Sequence, residues 1–364
     1  MNKEVFLIAL VFFSLITPNV WLNGVVANPN DIRVPQDYPL IQEAINAANP
    51  GDTIYVSSGT YYENLDINKT LTLTGANRNT TIIDGNKTGT VVTIEANNVT
   101  LRGVTIQNGL GEGIIISAFN QTTISDNIII LNRYEGIYFE NSSGITINNN
   151  IISKNALQTG LAGIEMVYCD SNTISNNTIT SQEKGIGAES SKNNTIYGNT
   201  ILKNDVGVEM SECVNNFFYH NNFIDNAYLQ VDSYMSSNTW DNGYPSGGNY
   251  WSDYHGTDSY TGPNQNQTGS DGIGDTPYVV GADNVDRFPL ITQYGKVTEG
   301  ITPPTSSITF PIKEAAITAT IIITVLGTVV YFLKIRKKSK KIKPSRRFLN
   351  LQLRRNMINK EIFE

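Results

Sequence analysis

The chain has 364 residues, of which 16% are charged, and a formal net charge of −7 at pH 7. Residues 334–364 contain 12 of the 26 Lys and Arg residues but only 2 of the 33 Asp and Glu residues, so this segment carries +10 and the preceding 333 residues carry −17. An acidic body argues against nucleic-acid binding, which requires the opposite charge, and the periodic β-branched residues argue against disorder. The acidic charge would suit cations, or would simply keep the protein soluble.

The first 27 residues have the pattern of a secretory signal peptide. Lys3 supplies a short positive region, Val5–Ile16 an apolar region, and the sequence Val-Val-Ala at positions 25–27 a cleavage site. An uncleaved N-terminal anchor is the alternative. Both interpretations predict that the following chain is exported.

Residues 38–48 predict a short amphipathic helix that ends at Pro50-Gly51. Its apolar face would consist of Leu40, Ile41, Ala44, Ile45 and Ala48. A helix at this place would cover the open apolar end of a repeat fold. Short strand-like segments then follow at residues 53–56, 65–67, 71–74 and 81–83, separated by glycine-containing turns.

The segment from Gly113 to Asn226 repeats one pattern five times. An apolar column at Ile124, Ile147, Ile174, Ile196 and Phe218 has spacings of 23, 27, 22 and 22 residues. An asparagine follows each member three residues later, at Asn127, Asn150, Asn177, Asn199 and Asn221. A Gly-Ile or Gly-Val pair repeats in step with both columns, beginning at Gly113, Gly136, Gly163, Gly185 and Gly207. Periods in the twenties that consist of short β-rich units are typical of a solenoid.

Each repeat contains three segments that are too short to be helices, which predicts an all-β, right-handed, single-stranded parallel β-helix with turns of about 22 residues. The apolar column would then stack inside the coil. We expect the asparagine column to occupy turns, where asparagine tolerates left-handed dihedral angles and its amide can bond the copies above and below. This role is structural, not catalytic.

Cys169 and Cys213 lie 44 residues apart, which is two turns of such a coil. Strands in adjacent turns are about 4.8 Å apart, so two turns separate the cysteines by more than the 7 Å or so that a disulfide spans. The spacing therefore predicts two free, buried thiols.

The C-terminal part predicts an end to the coil and a membrane anchor. Trp240 follows Phe218 by 22 residues, which favours one more turn, and residues 242–294 form an acidic, glycine-rich closing segment. A stalk at 295–313 precedes a predicted transmembrane helix at 314–334, whose residues 315–333 carry no charge. The basic tail at 335–364 would be cytoplasmic by the positive-inside rule. The β-helix domain at 28–294 would be extracellular or lie in a periplasm-like space. It comprises a cap and first turns at 28–110, regular repeats at 111–241 and the closing segment.

Sequence motifs at both ends of the repeats resemble a known family. The opening residues 41–48 (IQEAINAA) and 50–56 (PGDTIYV), with Gly59-Thr60-Tyr61 and Glu63, look like the first turns of β-helices in the pectin-lyase-like superfamily. The Asn/Ile repeats resemble its NosD-like branch, also described as carbohydrate-binding and sugar-hydrolysis domains. Residues 248–254 (GNYWSDY), 271–278 (DGIGDTPY) and 286–290 (DRFPL) resemble the end of archaeal NosD-like surface proteins. The resemblance covers residues 32–291. It implies a fold and not an activity, because the superfamily contains lyases, hydrolases, esterases and non-enzymes.

Two metals are candidates. Calcium favours six to eight oxygen ligands on loops that glycine allows to bend, and the closing segment offers Asp253, Asp258, Asp271, Asp275, Asp283 and Asp286. Asp-Gly turns are the alternative explanation of this pattern. The NosD resemblance implies copper, which favours clustered Cys, Met or His ligands. Two histidines, five methionines and two separated cysteines argue against it.

Three functions remain open. Glycan binding would use exposed aromatic rings, with Tyr134, Tyr138, Tyr168, Tyr197 and Tyr219 as candidates and Tyr197 and Tyr219 as direct neighbours. We favour a membrane-anchored surface module that binds extracellular glycans or envelope proteins. The second possibility is a polysaccharide lyase or glycoside hydrolase; Glu165 and Glu209 share a column, as do Glu140 and Glu189, but we expect scattered surface charges and assign no catalytic residue. The third is copper delivery of the NosD type.

Overall fold

Three parallel β-sheets run along the folded body and enclose one apolar core. The computed structural model describes residues 30–156, 160–281 and 284–295. The predicted signal peptide, the stalk beyond residue 295, the transmembrane helix, the basic tail and the candidate ligand Asp283 lie outside the described residues. Within the described part of the chain, no helix is long and apolar enough to cross a membrane.

We call the three sheets A, B and C. Along the chain, each turn of the solenoid contributes one strand to sheet C, then one to sheet A and then one to sheet B. Sheet A has ten strands: Asp31–Val34, Thr53–Val56, Thr72–Gly75, Thr100–Arg102, Thr123–Ser125, Thr146–Asn148, Thr173–Ser175, Thr195–Tyr197, Val214–Tyr219 and Ser237–Thr239. Sheet B has nine: Gly59–Tyr61, Thr81–Asp84, Thr105–Gln107, Ile128–Ile130, Ile151–Ser153, Thr178–Thr180, Thr200–Leu202, Asn222–Ile224 and Tyr250–Trp251. Sheet C has eight: Leu65–Ile67, Val92–Ile94, Ile114–Ser117, Ile137–Glu140, Ala162–Val167, Lys184–Glu189, Val206–Ser211 and Leu229–Tyr234.

The register of these sheets confirms the predicted columns. Ile124 pairs with Ile147, Ile147 with Ile174, and the column continues through Ile196 to Phe218. All five side chains are buried. Since side chains alternate across a strand, the residues on either side of each isoleucine point outward. Isoleucine is thus repeated inside the coil up to Phe218, and the outward position before it is threonine up to Phe217, while the outward position after it varies.

The asparagine column forms a buried ladder of hydrogen bonds between turns. The side-chain oxygen of Asn177 accepts hydrogen bonds from the backbone N–H and the side-chain amide of Asn150, at 2.9 and 3.0 Å, and its own amide donates to the Ile147 carbonyl. The expected left-handed conformation lies one residue earlier, for example at Asn149 and Asn176. The prediction was therefore right about the ladder but placed the turn's strained residue one position too late.

Two further ladders had not been predicted. Their members are Asn132, Asn155, Gln182, Asn204 and Asn226 in one, and Asn172, Asn194, Asn216, Asn238 and Asn284 in the other. Together with the first, they satisfy the polar backbone groups at all three corners of the coil, where buried groups without partners would be costly.

A helix at Ile41–Ala47 covers the N-terminal end, as predicted, with Ile41, Ala44 and Ile45 buried. Leu40 was expected on the same face but is 46% exposed, because it precedes the first helical residue. The Glu63 carboxylate accepts hydrogen bonds from the backbone N–H groups of Ile41 and Gln42, both at 2.9 Å. A carboxylate at the N-terminal end of a helix accepts hydrogen bonds from free N–H groups and interacts favourably with the positive end of the helix dipole.

An aromatic stack closes the other end. Trp240 stacks on Phe218 with ring centroids 4.3 Å apart, and Trp251 stacks on Phe223 at the same distance. This confirms the predicted extra turn. Two antiparallel hairpins follow, Tyr260–Thr261 with Gln267–Thr268 and Tyr278–Gly281 with Asn284–Asp286.

Candidate functional site

The structure brings together two of the five candidate tyrosines. Tyr197 and Tyr219 pair in adjacent strands of sheet A, and their half-buried rings stack with centroids 5.3 Å apart and planes within 7°. Tyr138 lies on the outer face of sheet C. Tyr134 and Tyr168 lie in different turns and are 37% and 58% exposed. The five residues therefore do not form one binding surface.

More aromatic rings surround the stacked pair. Phe217 contacts Tyr219 with ring centroids 4.8 Å apart. His220 meets the same tyrosine in a T-shaped arrangement with centroids 5.1 Å apart, and Tyr294 stacks on His220 with centroids 4.0 Å apart. We call Tyr197, Phe217, Tyr219, His220 and Tyr294 the aromatic platform. Sequence reasoning missed Phe217, which occupies a position where the preceding turns carry threonine.

The outer face of sheet C carries a different group of residues, centred on Glu165. One turn on, Gly187 occupies the equivalent position, and a Cβ there would overlap the Glu165 carboxylate. In the next turn Glu209 forms an ion pair with Lys184. Glu165 accepts no hydrogen bond from any described residue. From the sequence we expected these glutamates to be scattered surface charges. In the structure, the Glu165 carboxylate occupies the space that a side chain at position 187 would fill.

The pKa of the Glu165 carboxyl group is determined mainly by its burial. Burial raises this pKa to about 7. The positive charge of Lys184 lowers it, and the negative charge of Glu135 raises it further. Burial also raises the pKa of Glu135 and that of Tyr138, whose hydroxyl donates a 3.0 Å hydrogen bond to Glu140. A carboxyl group with a pKa near neutrality can act as a general acid or base.

Replacing Glu165 with glutamine is expected to flatten the pH dependence of stability. The folded-state pKa lies above the ordinary value of 4.5, so between pH 4.5 and 7 the unfolded chain loses a proton that the folded protein retains, and wild-type stability falls as pH rises. At pH 4 the variant and the wild type should unfold at similar denaturant concentrations, whereas at pH 8 E165Q should be the more stable. Equal slopes in both proteins would contradict the assignment, and the exposed Glu212 provides a control as E212Q.

The described aspartates of the closing segment each have a place in its hydrogen-bond network. Asp258 accepts from the backbone N–H groups of residues 271 and 272, and Asp275 from those of residues 259 and 260. Asp271 accepts from Thr261 and Gly262, and Asp253 from the hydroxyl of Tyr278. Such bonds are typical of turns stabilised by aspartate.

Asp286 differs from the other aspartates because it is fully buried. Its Oδ2 accepts hydrogen bonds from the Asn249 N–H at 2.7 Å and the Trp251 indole N–H at 2.9 Å, and its Oδ1 from the Phe288 N–H at 3.1 Å. Burial raises its pKa to about 7, although these donors act in the opposite direction. Among the described residues, no three His, Cys, Asp or Glu side chains are grouped so as to hold a metal ion.

The described residues also do not fit copper. Cys169 and Cys213 are free and buried, as predicted. Burial raises the pKa of both thiols, to about 11 for Cys169, whose Sγ donates to the Phe139 and Val167 carbonyls. Copper requires the deprotonated thiolate. His220 is held between aromatic rings with its Nε2 at 2.8 Å from the Ser246 carbonyl.

Comparison with known proteins identifies a family. Residues 45–256, more than half of the chain, match the family described as "Periplasmic copper-binding protein (NosD)". A cell surface glycoprotein of Methanothermus fervidus is 33% identical over 136 residues. The match covers 37% of this chain and 18% of that relative, so the chain corresponds to less than a fifth of its length.

Solved structures with similar folds have low identity. PfbA, a surface adhesin of Streptococcus pneumoniae, is 13% identical, with a TM-score of 0.48 over 62% of this chain and 71% of that protein. An alginate lyase from Paenibacillus is 15% identical, with a TM-score of 0.36 over 61% of this chain and 98% of that protein. Similarity at this level carries no information about activity.

Proposed function

The chain belongs to the NosD family, and from this membership and the aromatic platform on sheet A we propose that it is a cell-surface protein that binds carbohydrate. A surface location is supported by the relative from Methanothermus fervidus, which is a cell surface glycoprotein, and by the predicted signal peptide and anchor. Copper delivery has no support from the described side chains, because neither the histidines nor the thiols form a ligand cluster.

The observation that carries the proposal is the stacked pair Tyr197 and Tyr219. Tyrosine combines a flat apolar ring with a polar hydroxyl, so it can cover the apolar face of a sugar ring and also bond its hydroxyl groups. Their nearly parallel rings stack on each other in adjacent strands, about 4.8 Å apart, and so span two turns of the solenoid. A rigid sheet fixes both rings before a ligand arrives, which lowers the entropic cost of binding.

Replacing both tyrosines with alanine is expected to weaken glycan binding by at least about tenfold, which corresponds to 1.4 kcal/mol. The measurement is an equilibrium titration of the full-length protein with those oligosaccharides that an array shows to bind. Tyr228→Ala is the matched control, because Tyr228 is 75% exposed and lies away from sheet A, in the turn before sheet C. Unchanged affinity in Y197A/Y219A, or equal loss in Y228A, would contradict a site on the platform.

Polysaccharide cleavage is the second candidate, and the Glu165 group is the observation that favours it. Glu165, with a pKa of about 7, provides an acid, and Glu209, two turns away in the same column, provides a second carboxylate. Paired carboxylates are what glycoside hydrolysis uses. Release of reducing ends or unsaturated products from the bound glycans, abolished in E165Q, would favour the enzyme over the binding protein.

A further inference from the structure

A single column of threonines leads along sheet A to the aromatic platform. Its seven members pair in consecutive turns and are all half-exposed: Thr53, Thr72, Thr100, Thr123, Thr146, Thr173 and Thr195. None of their hydroxyl groups hydrogen-bonds to another described residue. Phe217 of the platform is the next member of the column. Seven hydroxyl groups are thus free to bond a ligand, spaced by about 4.8 Å per turn.

The outward strand positions of this face carry no charge over five turns, and the exposed ion pair of Asp170 and Lys192 borders them. From the first of the five repeats to the platform, the outward positions of sheet A carry Thr123, Ser125, Thr146, Asn148, Thr173, Ser175, Thr195, Tyr197, Phe217 and Tyr219. Ser175 is buried and accepts a hydrogen bond from the side-chain amide of Asn148, so the other nine form the surface. Sheet C, in contrast, presents Glu140, Glu165, Lys184, Glu189 and Glu209. At these strand positions a charged polymer would lose hydration without gaining an ionic partner, and the bordering Lys192 is already paired with Asp170. An uncharged polyhydroxylated polymer would instead replace its hydration with hydrogen bonds to the threonines.

A groove borders the same face. Its volume is about 640 Å³, and it crosses four turns just before the strands of sheet A begin. Amide and hydroxyl side chains line it, with Asp170 as the one charged group: Asn97, Asn120, Gln121, Ser143 and Ser171. The groove therefore runs in the direction of the threonine column and offers a second row of hydrogen-bonding groups beside it.

We propose that sheet A binds a linear, uncharged polysaccharide that lies parallel to the solenoid axis. One end of the bound segment packs against Tyr197 and Tyr219, and its hydroxyl groups bond the threonine column and the groove. This inference rests on the proposed carbohydrate-binding function and adds the class and orientation of the ligand. From Thr123 to Phe217 the face extends about 19 Å, at about 4.8 Å for each of four intervals, so the ligand needs several sugar units to use it.

A chain-length series tests this orientation. Full-length protein is titrated with neutral gluco- and manno-oligosaccharides of two to eight units and with uronic-acid oligosaccharides of the same lengths. We expect Kd to fall with each added neutral unit until the chain spans the face, and then to level off. Charged oligosaccharides should bind at least tenfold more weakly than neutral ones of equal length.

Variants that lack threonine hydroxyl groups distinguish the contribution of the threonine column to binding from that of the aromatic platform. Valine replaces threonine with little change in shape and keeps the preference for strands. We expect T146V/T173V to raise Kd at least fivefold for hexasaccharides and longer chains but to leave the Kd of a disaccharide unchanged, while Y197A/Y219A weakens both. Thr178→Val is the matched control, because Thr178 is an equally half-exposed residue at an outward position of sheet B.

The outcomes distinguish the two proposals. Binding that depends on the tyrosines but not on chain length or on the threonines would overturn the extended orientation and leave the proposed function intact. Tighter binding of charged oligosaccharides, lost in E165Q, would overturn it in favour of sheet C. Absence of binding to every oligosaccharide would overturn both.

Discussion

Replacing Asn177 with alanine is expected to lower the free energy of unfolding by about 3 kcal/mol. The substitution removes the acceptor for the Asn150 backbone N–H and the donor to the Ile147 carbonyl, both inside the coil. A buried polar group that loses its partner costs about 1–3 kcal/mol. The alanine side chain can neither accept nor donate a hydrogen bond, and the surrounding core is packed too closely to fill the resulting cavity. Guanidinium unfolding followed by circular dichroism measures the change.

The control is Asn264→Ala, because Asn264 is exposed and makes no hydrogen bond to the described residues. It should change stability by less than about 0.5 kcal/mol. A loss below about 1 kcal/mol in N177A would mean that the ladder fills a turn without holding the coil together. Because Asn177 lies in the middle of its ladder, between Asn150 and Asn199, the variant tests the interior of the solenoid and not its ends.

The columns could be predicted from the sequence because a parallel solenoid turns sequence period into spatial register. Ile124, Ile147 and Ile174 repeat at intervals that differ only by an insertion, so their stacking follows from spacing alone. The same argument placed Tyr197 beside Tyr219. Each of these inferences needs only the pairing of one strand with its copy in the next turn.

The ends of the ladders could not be predicted in this way. Asn221 bonds Asn249, 28 residues on, and Asn238 bonds Asn284, 46 residues on. Both partners belong to the closing segment, where no period exists. The sequence contains these asparagines, but only the path of the intervening hairpins shows that they complete the ladders.

The raised pKa of Glu165 depends on a glycine in the next turn, which has no side chain to exclude the carboxylate. Gly187 separates Glu165 from Glu209 in their column, and in the sequence this interruption argued for isolated charges. In the structure the glycine creates the space into which Glu165 folds, and the resulting burial raises its pKa. Spacing predicts which residues are neighbours, whereas burial depends on the size of every side chain around them.

Asp286 shows how an acidic, glycine-rich pattern can serve packing. We expected it among calcium ligands, which must leave oxygens free for the ion. Both of its oxygens instead accept N–H groups from residues that close the core, among them Asn249 at the end of the first ladder and Trp251 in the aromatic stack. The residue thus joins the closing hairpin to the last turn of the coil.

Replacing Asp286 with alanine is expected to lower the free energy of unfolding by about 4 kcal/mol at pH 7. Three N–H donors lose their acceptor, two of them fully buried on Asn249 and Trp251, and each unsatisfied buried donor costs about 1–3 kcal/mol. The pKa of this carboxyl group is raised from 3.8 to about 7 in the folded protein, so the wild type loses stability as pH rises between these values, and the loss in D286A should be larger at pH 5 than at pH 7. Thermal melts followed by tryptophan fluorescence report directly on Trp240 and Trp251.

The same melts distinguish packing from calcium binding. If Asp286 acts through its N–H donors, the difference between D286A and wild type is equal in chelator and in added calcium. A calcium ligand would instead give a wild type that chelator destabilises to the level of D286A. Asp232→Ala is the control, because Asp232 is exposed, lies outside the closing segment and accepts no hydrogen bond from the described residues. A solenoid has two apolar ends to cover, and here a buried carboxylate at one end and the Glu63-capped helix at the other hold the covers in place.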